Sequence, residues 1–71
     1  MDKFYKGMSE IFEVELEAIS KEYLLNEGNW DSLAIISTIA LVDNCFGLIL
    51  SGNDLYNCKS IGDIIKLTER I

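Results

Sequence analysis

The sequence predicts an all-α protein, a small bundle of three main helices and one short helix. Three observations lead there. Apolar residues recur at helical spacing in three separate stretches. No stretch alternates apolar and polar residues as a half-buried strand would. Capping residues stand where those stretches begin and end, and proline is absent throughout.

The first helix is predicted over Asp2 to Val14. Phe4, Tyr5, Met8, Ile11 and Phe12 fall on one stripe, and Asp2 near the start suits the positive end of the helix dipole. Residues 15–30 read as a long connection with at most a helical turn. It carries Glu15, Glu17, Glu22 and Glu27, with Leu16, Ile19, Tyr23, Leu24 and Leu25 expected to pin it to the core. A connection that long with little structure of its own is uncommon in a compact domain and is often functional.

The second helix is predicted from Ser32 to Phe46, ended by Gly47, a favoured left-handed terminator. Asp31 caps at least as well as Ser32. With Asp31 as the cap, Trp30 and Ile35 occupy the two positions of a hydrophobic staple. Ser32 is then the first helical residue, and its hydroxyl has no capping bond to make. The helix carries one stripe of Ile35, Ile39, Val42 and Phe46, and an adjacent strip of Leu33, Ile36 and Ala40. Ser51-Gly52-Asn53 reads as a turn and Asp54 to Cys58 as a short helix. Ser60 caps a final helix running to Arg70, with Asp63 in the reciprocal place of a capping box. Ile61, Ile64, Ile65 and Thr68 form its inner face, and Lys66 and Arg70 suit its negative end.

Composition bounds function. Seventy-one residues, 49 % apolar and 25 % charged, make one small globular domain near the lower size limit for an unaided core. The net charge of −6 argues against a nucleic-acid partner and favours basic surfaces. That charge is uneven, −5 over residues 1–31 and −1 over residues 32–71. With no His, the commonest general base and metal ligand are missing, and no metal site is expected. Cys45 and Cys58 form no CxxC pair and read as free thiols, Cys58 in the core and Cys45 facing outward. The clustered glutamates read as a solvated acidic face, since no pocket is evident that would split their pKa values. The run Leu33–Leu50 holds Asp43 and Asn44 and lacks close basic flanks, so a membrane span is not expected. The start Met1-Asp2-Lys3-Phe4 lacks a secretory pattern, so a cytoplasmic location is expected; the chain is also expected to be a monomer.

A hydroxyl at a helix N-terminus faces unpaired N–H groups and the positive end of the dipole, so a phosphate esterified there is stabilised. Asp31-Ser32-Leu33 resembles the attachment motif of acyl carrier proteins. Ala40-Leu41-Val42 with Phe46-Gly47 resembles that family's second helix and its closing Phe-Gly. Leu48-Ile49-Leu50 with Ser51-Gly52-Asn53-Asp54 resembles the loop before its short third helix. Ser60-Ile61-Gly62-Asp63 resembles the start of its last helix. From Asp31 onward the spacing fits without a gap; upstream the likeness is one of pattern.

The resemblance implies an acyl-carrier-like bundle and a discrete carrier that is not itself an enzyme. A phosphopantetheinyl transferase would attach a 4′-phosphopantetheine arm from coenzyme A to Ser32. The arm's thiol would carry acyl groups as thioesters between loading and transferring enzymes of fatty-acid-like or specialised acyl biosynthesis. Asp31 would orient the motif and meet the transferase. Leu33, Ile36, Ala40 and Asp43 would dock partners. Ile35, Ile39, Phe46, Leu50, Cys58 and Ile64 would line a cavity sheltering the acyl chain. Two alternatives are an aminoacyl or peptidyl carrier and an unmodified carrier-like interaction module.

Two features depart from the family pattern. The familiar carriers have Gly, one residue, then Asp-Ser-Leu, whereas Asn29-Trp30 follows Gly28 here. They also bear several acids along the second helix, where this chain has Ala34, Ser37, Asn44 and Cys45 and keeps only Asp43. These departures point to a dedicated carrier with less basic partners.

Overall fold

A computed structural model describes residues 2–69 and shows a small all-helical bundle. Its elements are α1 (Asp2–Phe12), a 3-10 turn at Leu16–Ala18, α2 (Ser32–Phe46), α3 (Gly52–Tyr56) and α4 (Ile61–Thr68). Among the described residues the only strand-like pairing is an isolated antiparallel bridge between Leu24 and Ser60. Arg70, expected at the end of the last helix, lies outside the described residues.

Helix α1 buries Phe4 and Met8, with Tyr5, Ile11 and Phe12 packed at the edge of the core. It stops at Phe12 rather than Val14, because Glu13 adopts a left-handed φ of 57°. The Val14 N–H then turns back to the Ser9 carbonyl at 3.0 Å, which satisfies an end carbonyl of α1. Ser9 is buried as well; its hydroxyl donates to the Lys6 carbonyl at 2.7 Å.

Helix α2 is the central element, packed against α1 and α3. A β-carbon on Gly7 would collide with the Leu41 side chain, so that glycine lets α1 and α2 approach closely. Val42 and Thr38 are fully buried and Ile35 nearly so. Thr38, polar in the sequence, is tolerated there because its hydroxyl donates to the Ala34 carbonyl at 2.8 Å. Gly47 ends the helix at φ 68°, with its N–H on the Asp43 carbonyl at 2.9 Å.

Two local expectations are corrected. Ser51 is not part of a free turn: its hydroxyl accepts from the Asp54 N–H at 3.0 Å, so α3 starts at Gly52 and ends at Tyr56. Ser60 caps α4 through the Asp63 N–H at 3.3 Å, but the Asp63 carboxylate takes the Lys59 N–H at 2.9 Å instead of closing the box on Ser60.

The connection between α1 and α2 is tied down largely through its backbone. The Leu25 N–H donates to the Lys59 carbonyl at 2.9 Å, Ile61 to Tyr23 at 3.0 Å, and Gly62 to Lys21 at 2.9 Å. These bonds lace the first connection to the start of α4. A β-carbon on Gly62 would meet the Lys21 carbonyl at 3.1 Å, so this approach favours glycine. Ile19 and Leu25 are buried as expected, and Tyr23 stacks on Phe12 at 5.1 Å. Leu16 and Leu24, expected to be pins, are exposed. Leu24 faces Ser60 in the bridge, whose hydrogen bonds are made by its neighbours Tyr23 and Leu25, and its side chain stays outside.

Among the described residues no helix is long and apolar enough to cross a membrane.

Candidate functional site

The site is the junction of the first connection with α2. Residues 24–30 form a knot of short-range hydrogen bonds. Asn26 and Asn29 are its hubs: Asn29 Oδ1 accepts the Asn26 N–H at 2.8 Å, Asn26 Oδ1 accepts the Gly28 N–H at 2.8 Å, and Asn29 Nδ2 donates to the Leu24 carbonyl at 3.1 Å. The Trp30 N–H donates to the Asn26 carbonyl at 2.7 Å. The Trp30 indole N–H reaches across to the Leu55 carbonyl of α3 at 2.8 Å, inside the protein. The last residue before the cap is thereby fixed to α3.

Asp31 is extended, with φ −99° and ψ −178°, and its Oδ1 accepts the Ala34 N–H at 2.9 Å. It is the cap. Trp30 and Ile35 are both buried, as a staple requires. Ser32 is therefore the first helical residue, and it is exposed. Among the described residues no hydrogen bond engages its hydroxyl. The Ile35 N–H returns to the Asp31 carbonyl at 3.0 Å, so the amides of Ser32 and Leu33 are the unpaired donors of this helix end. A phosphate on Ser32 meets those amides and the positive end of α2. The residues present thus fit a phosphate-linked arm. With no His in the chain, the site lacks the commonest base for deprotonating the serine itself.

Leu33 and Ile36 stand 73 % and 63 % exposed, and Ala40 and Asp43 are exposed beside them. An open groove between α1 and α2 continues this surface, with Gly7, Ile11, Ala40 and Leu41 among its walls and Glu10 at its edge.

The six residues expected to line an acyl cavity are packed together. Ile35, Cys58 and Ile64 are buried, and Ile39, Phe46 and Leu50 pack against them, with Phe46 and Phe4 rings 5.7 Å apart. They form part of the hydrophobic core. Cys58, one of the six, reaches a hollow that is also walled by Leu25, Asn26, Glu27, Trp30 and Tyr56. Sequence reasoning missed this hollow. Its signal was the pair of apolar aromatics, Trp30 and Tyr56, on segments read only as a loop and a short helix.

Cys58 lies in the core as expected, its thiol donating to the Asp54 carbonyl at 3.5 Å. Burial first, then the Asp63 and Asp54 carboxylates, pushes that thiol up to about 11. Cys45 does not face outward; it is half-buried against the core. Both thiols are free. Among the described residues no group of three or more Cys, Asp or Glu could hold a metal ion.

No protein-family model matches this chain, and no curated protein matches it.

Proposed function

We propose that this chain is a discrete acyl carrier that holds acyl groups as thioesters on a 4′-phosphopantetheine arm attached to Ser32. One observation carries the reading. Asp31 makes the capping bond to Ala34, so the exposed hydroxyl of Ser32 is left over at a helix end whose free amides suit a phosphate.

Attachment forms a phosphodiester between the Ser32 oxygen and the pantetheine phosphate. The pyrophosphate linkage of coenzyme A breaks, adenosine bisphosphate leaves, and the serine proton goes to a base of the transferase. The chain's own part is to present the hydroxyl: Asp31 fixes the helix start and Trp30 anchors it to α3. Once attached, the arm supplies the thiol on which acyl groups ride. Leu33, Ile36 and Ala40, exposed and apolar beside Ser32, form the surface on which partner enzymes dock, with Asp43 as its charge.

Co-expression with a promiscuous phosphopantetheinyl transferase tests this. Intact mass should rise by one phosphopantetheine group, and Ser32→Ala should abolish the gain. An unchanged mass in the wild type would leave the chain as an unmodified interaction module. Preferential loading by an amino-acid-activating enzyme would make it an aminoacyl carrier.

A further inference from the structure

We propose that the hollow between the 25–30 loop and the end of α3 is the cargo site, and that it selects a small aryl acyl group over a long straight chain. This rests on the carrier reading above.

Size is the first argument. The hollow measures about 220 Å³. An enclosed apolar protein cavity of about 150 Å³ accepts benzene; this hollow, partly open to solvent, has room for one ring with its carbonyl and too little to enclose a long alkyl chain. Leu55, Ile61, Ile64 and Val42, which fill the bundle interior, are fully buried. Opening it for a long chain means separating packed side chains.

The walls are the second. Leu25 and Trp30 form a buried apolar floor, Cys58 a soft inner wall, and Tyr56 an exposed one. Aromatic faces favour a flat ring laid between them. The Trp30 indole is held in place by its bond to the Leu55 carbonyl, so this wall exists before cargo arrives. Asn26 and Glu27 stand at the polar mouth, and the Glu27 carboxylate disfavours cargo ending in a second carboxylate.

Access is the third. Trp30 lies two residues before Ser32, so their backbones are at most about 7 Å apart. An arm rooted on Ser32 needs only to fold back on itself to bring its thioester to the mouth.

The test uses the full chain, loaded by a promiscuous transferase from benzoyl-, acetyl- or dodecanoyl-coenzyme A, with intact mass confirming each load. Against the acetyl form, the benzoyl form should shift the NMR signals of Leu25, Trp30, Tyr56 and Cys58, the Trp30 indole N–H most of all. Tyr56→Ala changes only an exposed wall and should remove most of these shifts while the rest of the spectrum stays in place. Dodecanoyl should leave the hollow's signals near those of the acetyl form. Benzoyl shifts centred on Ile39, Phe46 and Leu50, or dodecanoyl shifts matching benzoyl at the hollow, would overturn the assignment. A chain that gains no mass overturns the carrier reading separately. Titrating benzoyl-pantetheine into the unmodified protein then decides the hollow: saturable shifts at the same four residues support it, and their absence sinks it.

Discussion

The two faces of α2 are built from nearly the same residue types and have opposite fates. Ile35 and Val42 point into the bundle and are buried, while Leu33 and Ile36 point out and stay mostly exposed. Neighbouring isoleucines, Ile35 and Ile36, show the contrast most sharply. A helix that needed only to fold would have polar residues on the outer face. Here an apolar face stays in water next to a free serine hydroxyl, which is the motive for proposing it as a docking surface. Burial, not residue type, separates what holds this protein together from the surface proposed for docking.

The largest effect that could break this comparison is in the core. Ile35→Ala should cost about 2–5 kcal/mol. In a domain whose core supplies only about 3–5 kcal/mol, that leaves much of the protein unfolded at room temperature. Ile36→Ala, one residue on, should stay within about 0.5 kcal/mol of wild type. Urea unfolding followed by circular dichroism measures both, and similar costs would mean the outer face is also structural.

The next test contrasts two adjacent residues at the helix start. Asp31→Ala should cost about 1 kcal/mol by removing the bond to the Ala34 N–H. Ser32→Ala should change stability by less than about 0.5 kcal/mol, while abolishing modification. A cost above about 1 kcal/mol for Ser32→Ala would make the serine a cap, and its hydroxyl would no longer be free for chemistry.

These contrasts follow features that were largely legible in the sequence, because the signals are local. Asp31, Gly47 and the spacing of Ile35, Ile39, Val42 and Phe46 are read within a few residues, and α2 runs from Ser32 to Phe46 as predicted. What was not legible is pairing between distant segments. Nothing near Leu24 announces that Lys59, Ser60 and Ile61 lie alongside it. Exposed Leu24 therefore reads as a core pin, when it is the backbones of its neighbours Tyr23 and Leu25 that tie the segment down. The hollow was missed for the same reason, since Trp30 and Tyr56 are brought together by tertiary contacts, among them the Trp30–Leu55 bond across 25 residues.

A gentler contrast concerns the thiols. Cys58 is buried and its thiol is raised from 9.0 to about 11, so native alkylation should be slow and should quicken as pH rises toward that value. Cys45, half-buried, should react faster. Because the folded state holds the Cys58 proton more tightly than the unfolded state, the Cys58 contribution to stability is intact below pH 9 and lost between about 9 and 11. Melts across that window, in wild type and Cys58→Ala, check the sign: the wild type should lose more stability than the variant. Equal alkylation rates at the two cysteines would overturn their placement.

The smallest expected effect is that of salt. Rim charges set association rate and its salt dependence, while buried apolar anchors carry most of the affinity. Between Leu33 and Leu50 the only charge is Asp43, and the remaining acids of the chain lie mostly in residues 1–31. If partners dock on Leu33, Ile36 and Ala40, acyl transfer to a partner enzyme should vary little with ionic strength. Ile36→Asp should disrupt transfer without unfolding the domain, because that side chain is already in water. Transfer rate against salt for wild type and Ile36→Asp separates the two surfaces. A steep fall with salt in wild type, together with an indifferent Ile36→Asp, would move recognition from the outer face of α2 to the acidic first connection.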